Sequence, residues 1–249
     1  MHMRKSLFVA LTSMCAALYA VLGYLSYLGF FTPVIGVVRF WPVVFVPAVF
    51  AVAFHPLIGG IGAALGIFIS DMAIHGNALL SITAGVPANF LCFYIIGRLC
   101  HGEKQLNHAA TIIPNLAILG LCTLAYKFGL FNYLIIVTYA ATVVVSLIIA
   151  LIVSLKNRKW RSFMAASSIG LLVGSIWIGV TVWAFSQVFI LPGGARNLAL
   201  PAIIAWTLWV YCTEIPFLYV LAPPVLEVLE RAGLILETGE KKQELIPPK

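Results

Sequence analysis

Long apolar runs, separated by short charged or Pro/Gly-rich breaks, follow one another along most of the chain. A helix needs about 20 mostly apolar residues to cross roughly 30 Å of hydrocarbon, and the runs predict eight membrane spans. They cover Ser6–Gly29, Phe40–Phe54, Leu57–Ile74, Leu80–Leu99, Ala109–Tyr126, Leu130–Leu155, Phe163–Ile190 and Leu198–Leu221. The second run is short and carries Pro42 and Pro47. The pattern predicts an all-α, polytopic transmembrane helical bundle.

Composition points to the same class. Of the 249 residues, 62% are hydrophobic and 9% are charged, and the mean hydropathy is +1.06. These values exclude a soluble domain of this length. The five cysteines show no Cys-x-x-Cys or Cys/His pattern, so neither a disulfide framework nor a metal site is predicted. We expect one bundle over residues 1–226 and a cytoplasmic amphipathic or disordered tail over residues 227–249.

Lysine and arginine are distributed unevenly between alternate loops. With eight spans and a cytoplasmic N-terminus, Arg39, Lys127 and Arg196 lie outside and the remaining basic residues lie inside. If the second run did not cross, the basic cluster at residues 156–161 and the basic C-terminus would become external. The asymmetry therefore favours eight spans in the plasma membrane, with both termini cytoplasmic. The net charge of +7 then indicates anionic lipid as the partner of these residues, rather than nucleic acid.

Motifs of the common catalytic classes are absent from the sequence. It has no His-Glu-x-x-His, no Gly-x-x-x-x-Gly-Lys-Ser/Thr phosphate loop and no Gly-x-Ser-x-Gly elbow. We therefore expect a protein that is not an enzyme and has no catalytic residue, metal or cofactor. Energy for any transport would come from elsewhere.

Two acidic residues, Asp71 and Glu214, lie within predicted spans. A lone charge at the bilayer centre costs about 2.5–3.5 kcal/mol on insertion scales, so each needs a partner, a water-filled cavity or a place near a membrane face. Asp71 and His75 share one helical face, and Asn77 follows. These groups either point into a cavity and bind a solute, or cap the helix and meet water. For Glu214 we expect pairing with a basic residue such as Arg98, or exposure near the inner face.

Two outer arginines depart from the positive-inside bias. Arg39 and Arg196 could attract an anionic solute, although a loop arginine can equally meet lipid phosphate. Trp41 could stack on a heterocyclic ring of such a solute, although tryptophan is also common at membrane interfaces. The sequence thus predicts a small-molecule site near the outer face of the bundle.

Small residues recur at helical spacing in three spans, as Ala16-x-x-x-Ala20, Gly62-x-x-x-Gly66 and Gly170-x-x-x-Gly174. Such spacing lets helix backbones approach closely, and internal packing is its default meaning.

Several of these features occur together in the order of a known family. An alanine-rich first span precedes an outer arginine, a Pro-rich second span and the turn at residues 55–60. A glycine-striped third span then ends near Asp71, and Gly85-Val86-Pro87-Ala88-Asn89 lies in the fourth. This order resembles an S component, the substrate-binding subunit of an energy-coupling-factor (ECF) transporter. The similarity is best over residues 6–99 and weaker over residues 198–233.

The resemblance implies a six-helix core that binds a vitamin-like micronutrient from outside. It also implies docking onto a transmembrane T component driven by two cytoplasmic ATPase subunits. Carried over by position, the binding region includes Arg39, Trp41, Asp71, His75 and Asn77, and Asn89 adds a polar contact. Ala16 and Ala20 match the family's docking strip. The departure is in span number, because residues 109–155 form two additional spans.

Two other functions remain open at this point. The chain could be a structural or assembly subunit of a larger membrane complex, in which the small-residue faces serve only packing. It could also be a secondary transporter that works alone, although inverted repeats, a common signature of such carriers, are not visible.

Overall fold

The helices of the bundle follow the apolar runs of the sequence. The structure, a computed structural model, describes residues 4–30, 34–35, 38–39, 41–102 and 105–235. The helices are α1 (Lys5–Leu25), α2 (Phe45–Ala53), α3 (Pro56–Ile74), α4 (Ala78–Leu80), α5 (Val86–Cys100), α6 (Ala109–Lys127), α7 (Tyr133–Lys156), α8 (Arg158–Val188) and α9 (Ala202–Arg231). A π-helical turn, Ser26–Phe30, extends α1, a second one, Ser81–Gly85, joins α4 to α5, and a 3-10 turn, Pro42–Val44, precedes α2. Strand β1 (Val34–Ile35) pairs antiparallel with β2 (Val38–Arg39).

Seven helical stretches of the described chain are long and apolar enough to cross a membrane. They match seven of the eight predicted spans, which confirms an all-α, polytopic membrane bundle. The largest difference is at the last span, because α9 continues past Leu221 to Arg231 through Pro223 and Pro224. The expected domain boundary at residue 226 falls inside this helix, and residues 236–249 of the expected tail lie outside the described residues.

The eighth predicted span is the short stretch Pro42–Ala53. It rises only about 20 Å at the usual helical pitch. Its direction follows from its neighbours, because α1 and α3 run parallel. The Ser70 hydroxyl donates to the carbonyl of Ala20 at 3.1 Å. Earlier on both helices, Gly62 lies against Cys15. Contact positions therefore advance along α1 and α3 in the same direction. Two parallel helices require a return path between them, and the short stretch provides it.

Close helix packing depends on glycine at several interfaces. A Cβ at Gly62 would lie 2.6 Å from Cys15 Sγ, and one at Gly66 would lie 2.8 Å from the carbonyl of Ala16. A Cβ at Gly170 would lie 2.6 Å from the carbonyl of Cys92, between α8 and α5. Since real Cβ atoms do not approach so closely, larger residues would push these helices apart. The two Gly-x-x-x-Gly motifs serve internal packing, as expected.

The antiparallel order of the neighbouring long helices gives the bundle two distinct ends. The first of these carries the start of α1, the end of α5, the junction of α7 with α8 and the end of α9. We call it the basic end, because it holds Lys5, Arg98, Lys156, Arg161 and Arg231. The opposite end carries the last turn of α3 and the α4 segment.

Helices α6 and α7 attach to the rest of the bundle partly through a buried polar cluster. The Asn115 amide donates to the Tyr219 hydroxyl at 3.2 Å, linking α6 to α9. Tyr219 in turn lies 2.5 Å from the Ser168 hydroxyl of α8. Buried polar groups that bond to one another fix the register of the helices that carry them. Most side chains of α7 lie on the outside of the bundle.

Candidate functional site

A cavity of about 90 Å³ lies in the half of the bundle away from the basic end. Segments from α1, α3, α4, α5, α8 and α9 line it, and the described lining includes no residue of α6 or α7. Its size suits several water molecules or part of a small organic molecule. Its polar lining consists of Tyr19, Asp71, His75, Asn89 and Glu214, and Trp41 adds an aromatic face. We call this space the polar cavity.

Asp71 lies near the end of α3 and is held by a neighbouring hydroxyl. Ser81 Oγ donates to Asp71 Oδ2 at 2.6 Å, a short, charge-assisted bond. Ser81 begins the π-helical turn before α5, and such turns occur frequently at functional sites. A Cβ at Gly85 would lie 2.9 Å from Asp71 Oδ2, so a glycine here leaves room for the carboxylate.

His75 follows Asp71 by one helical turn, and its orientation is fixed by the backbone. The N–H of Asn77 donates to His75 Nδ1 at 3.0 Å. Because Nδ1 accepts this bond, the neutral ring carries its hydrogen on Nε2. Nε2 lies 3.5 Å from Asp71 Oδ1. The pair therefore presents a carboxylate and an oriented N–H donor to the polar cavity.

Tyr19 and Asn89 form the second polar group of the cavity. Tyr19 Oη donates to Asn89 Oδ1 at 2.7 Å, and Asn89 Nδ2 donates to the carbonyl of Gly85 at 2.9 Å. These bonds set which end of the amide carries the oxygen. The Tyr19 ring also makes edge contacts with Trp41, at 5.9 Å between centroids, and with Phe93, at 6.0 Å. The result is an aromatic wall with a polar edge.

Glu214 lies within α9, where its carboxylate lines the same cavity. The residue is 8% exposed, and none of the hydrogen bonds or ion pairs of the described residues involves its side chain. The expected exposure of Glu214 near the inner face is wrong, and no ion pair joins it to Arg98, which is exposed in the last turn of α5, at the basic end. Sequence reasoning left Glu214 out of the binding site, although an acidic residue inside an apolar span marks a functional position by default.

The structure thus brings four of the residues expected to bind solute around one cavity, namely Trp41, Asp71, His75 and Asn89. Of the other three, Asn77 and Arg196 do not line the cavity. Asn77 caps α4, where its Oδ1 accepts from the N–H of Leu80 at 3.0 Å, and it does not line the cavity. Arg196 is exposed in the loop between α8 and α9. The backbone of Arg39 forms part of β2, and its side chain lies outside the described residues.

The expected docking strip on α1 faces the inside of the bundle. Ala16 and Ala20 are each 5% exposed, because this side of α1 packs on α3. In this conformation the two alanines are therefore covered by the chain itself, and their docking role stays a prediction. The small residues that α1 does expose are Ser6, Ala10, Ser13 and Ala17, on a side of the helix next to the Ala16–Ala20 side. Periodicity alone cannot decide between the two faces, since both carry small residues at helical spacing.

Within the described ranges, no group of three His, Cys, Asp or Glu side chains is placed to ligate a metal ion. Comparison with known proteins finds no match among protein-family models, curated proteins or solved structures. The polar cavity offers two carboxylates, an oriented histidine N–H, an amide and aromatic faces in an otherwise apolar bundle. This combination suits a small organic solute that carries a few polar groups.

Proposed function

We propose that this chain is a membrane-embedded substrate-binding subunit for the uptake of a small, vitamin-like micronutrient. The polar cavity is the observation that carries the proposal. Polar side chains inside a membrane bundle are costly, and they characteristically mark substrate or ion pathways. Here they come from separate helices, α1, α3, α5 and α9, and converge on one space. Packing alone gives no reason for that convergence.

The direction of capture follows from the distribution of charge. Cytoplasmic loops carry the excess of lysine and arginine, which favours a cytoplasmic location for the basic end and for both termini in the plasma membrane. His75 and the π-helical turn at Ser81–Gly85 then lie toward the outside. The polar cavity would receive its solute from that side.

The resemblance to ECF S components supplies the proposed source of energy. A T component and two cytoplasmic ATPase subunits would drive release of the solute to the inside, in keeping with a sequence that lacks the phosphate loop. Six segments, α1, α2, α3, α5, α8 and α9, would form the family's core, with α6 and α7 added beside it. Because Ala16 and Ala20 are covered, the partner would dock on the exposed small residues of α1, namely Ser6, Ala10, Ser13 and Ala17.

Native mass spectrometry of gently purified protein in lipid nanodiscs tests the proposal. We expect a protein peak that carries the mass of one small organic molecule, and Asp71→Asn should lower its occupancy at least about tenfold, the effect of one charge-assisted contact. Glu227→Gln is the matched control. It makes the same carboxylate-to-amide change at a partly exposed position of α9, near the basic end and away from the cavity. A protein without any retained small molecule, purified in stable association with other membrane subunits, would instead indicate an assembly role.

One observation favours a second function, that of a secondary transporter working alone. Carboxylates within spans, such as Asp71 and Glu214, also occur in the proton relays of carriers. The chain reconstituted by itself in vesicles would then accumulate solute in response to an ion gradient. Uptake that requires ATP and the partner subunits would support the ECF-type function.

A further inference from the structure

The carboxylate of Glu214 is the least accommodated polar group of the cavity. It lies about midway along the 30-residue helix α9, and it is 92% buried, the complement of its 8% exposure. Asp71 has the Ser81 hydroxyl at 2.6 Å, and Asn89 has Tyr19 at 2.7 Å. Glu214 alone among these has no hydrogen-bond or ion-pair partner within the described chain.

Among the described residues around Glu214, none carries a cation that could balance its charge. On its own helix, Val210 and Leu218 lie one turn to either side. Across the cavity are Tyr19, Cys92 and the Asp71–His75 pair, and His75 accepts a backbone N–H on Nδ1 as the neutral ring does. None of the described lining residues is lysine or arginine. A buried carboxylate without a partner is strongly disfavoured.

An acidic group kept in such a place needs a partner that arrives with the solute. We propose that the polar cavity selects a solute carrying a protonated nitrogen, such as an ammonium, an amidinium or a basic heterocycle, and that Glu214 binds this cationic group. The apolar body of the solute would contact Leu171, Ile178 and Val182 of α8 on the facing wall. This inference rests on the proposed solute-binding function and narrows its substrate class.

The residues around the cavity fit such a solute in two further respects. Asp71 adds a second carboxylate to the lining of the same space, and carboxylate oxygens accept hydrogen bonds from cationic nitrogen groups. Trp41 and Tyr19 add aromatic faces, which attract cations through the ring quadrupole. The earlier hypothesis of an anionic solute attracted by Arg39 predicts the opposite charge preference, so an experiment can separate the two.

Three probes of nearly equal shape test the charge preference directly. Benzamidine, benzamide and benzoate share one ring and carry a positive, a neutral and a negative group. Their affinities are measured by calorimetry on the full chain in nanodiscs, for the unaltered protein, Glu214→Gln and the control Glu227→Gln. We expect benzamidine to bind most tightly. Glu214→Gln should weaken it at least about tenfold, as for a lost hydrogen bond to a charged group, whereas Glu227→Gln should leave all three affinities unchanged.

A second measurement uses whatever molecule the protein retains. Mass spectrometry of the small molecules released from the unaltered protein should identify one with a basic nitrogen, and Glu214→Gln should lose it. Thermal unfolding of Glu214→Gln distinguishes lost recognition from lost folding. The amide removes an unpaired buried charge, so the variant should be at least as stable as the solute-free protein.

The possible outcomes distinguish a failure of the cation preference from a failure of solute binding itself. A retained acid without basic nitrogen, a preference for benzoate, equal binding of the three probes, or cation binding that survives Glu214→Gln would overturn the inference while leaving solute binding intact. A protein that retains no small molecule and binds none of the probes would overturn both.

Discussion

Gly23 of α1 allows Trp41 to reach the polar cavity. A Cβ at position 23 would overlap the Trp41 ring at Cζ2 and Cη2 and would lie 2.9 Å from Cε2. Because ordinary contact begins at about 3.4 Å, the indole of a Gly23→Ala variant has to retreat by at least half an ångström at Cε2 and by more at the other two atoms. The displaced ring would lose its edge contact with Tyr19.

Gly120 of α6 provides the matched comparison. A Cβ at this position would meet nothing within 4 Å. Both substitutions gain the same helix propensity, up to about 1 kcal/mol, so the difference between them isolates the collision. Overpacking of a well-packed interior typically costs about 1–3 kcal/mol. We therefore expect Gly23→Ala to be less stable than Gly120→Ala by about 1–3 kcal/mol.

Reversible unfolding in mixed detergent micelles, followed by tryptophan fluorescence, measures this difference. Binding of the retained solute should also weaken in Gly23→Ala and persist in Gly120→Ala, because only the first displaces a residue of the cavity wall. Equal stability of the two variants, or full solute binding by Gly23→Ala, would refute the placement of Trp41 against α1.

Three further predictions concern single polar contacts. Tyr19→Phe removes the hydrogen bond to Asn89; unfolding experiments should show a loss of about 0.5–1.5 kcal/mol, and an unchanged stability would contradict this bond. Ser81→Ala removes the donor to Asp71; the expected loss is about 1.5–3 kcal/mol, whereas a more stable variant would show that the carboxylate is satisfied without it. Partial burial lowers the pKa of His55 in the folded protein. As pH falls, the imidazole of the unfolded chain is therefore protonated at a higher pH than that of the folded protein. The stability advantage of the protein over His55→Gln should therefore shrink as pH falls from about 8 to about 5, and a constant advantage would argue against the uncharged ring as the cap of α3.

Most of the helical architecture could be predicted from the sequence, because run length and hydropathy decide membrane helices almost by themselves. The short stretch Pro42–Ala53 required a second argument from charge, and the parallel arrangement of α1 and α3 agrees with that argument. The end of α9 could not be placed, since Pro223 and Pro224 usually end a helix, yet here the helix continues to Arg231.

Within the site, the sequence pointed to the rare polar residues but not to their rotation about each helix axis. Asp71 stood out because it lies within an apolar span, His75 because it follows on the same helical face, and Asn89 through the family resemblance, and all three line one cavity. The burial of Ala16 and Ala20 could not be predicted, because the orientation of α1 depends on its contact with α3 rather than on its own pattern. Glu214 was expected to pair with a basic residue or to be exposed near the inner face, and only the three-dimensional arrangement shows that it is buried and lines the cavity.

The central claim is that a guest molecule occupies the polar cavity. An experimental density map of the full chain, purified gently in lipid from cells grown in rich medium, tests it most directly. The account predicts compact non-protein density between Trp41, Asn89 and Glu214, sized for one small organic molecule and absent from the map of Glu214→Gln. A map in which side chains close this space, or in which only a lipid tail enters it, would contradict the account.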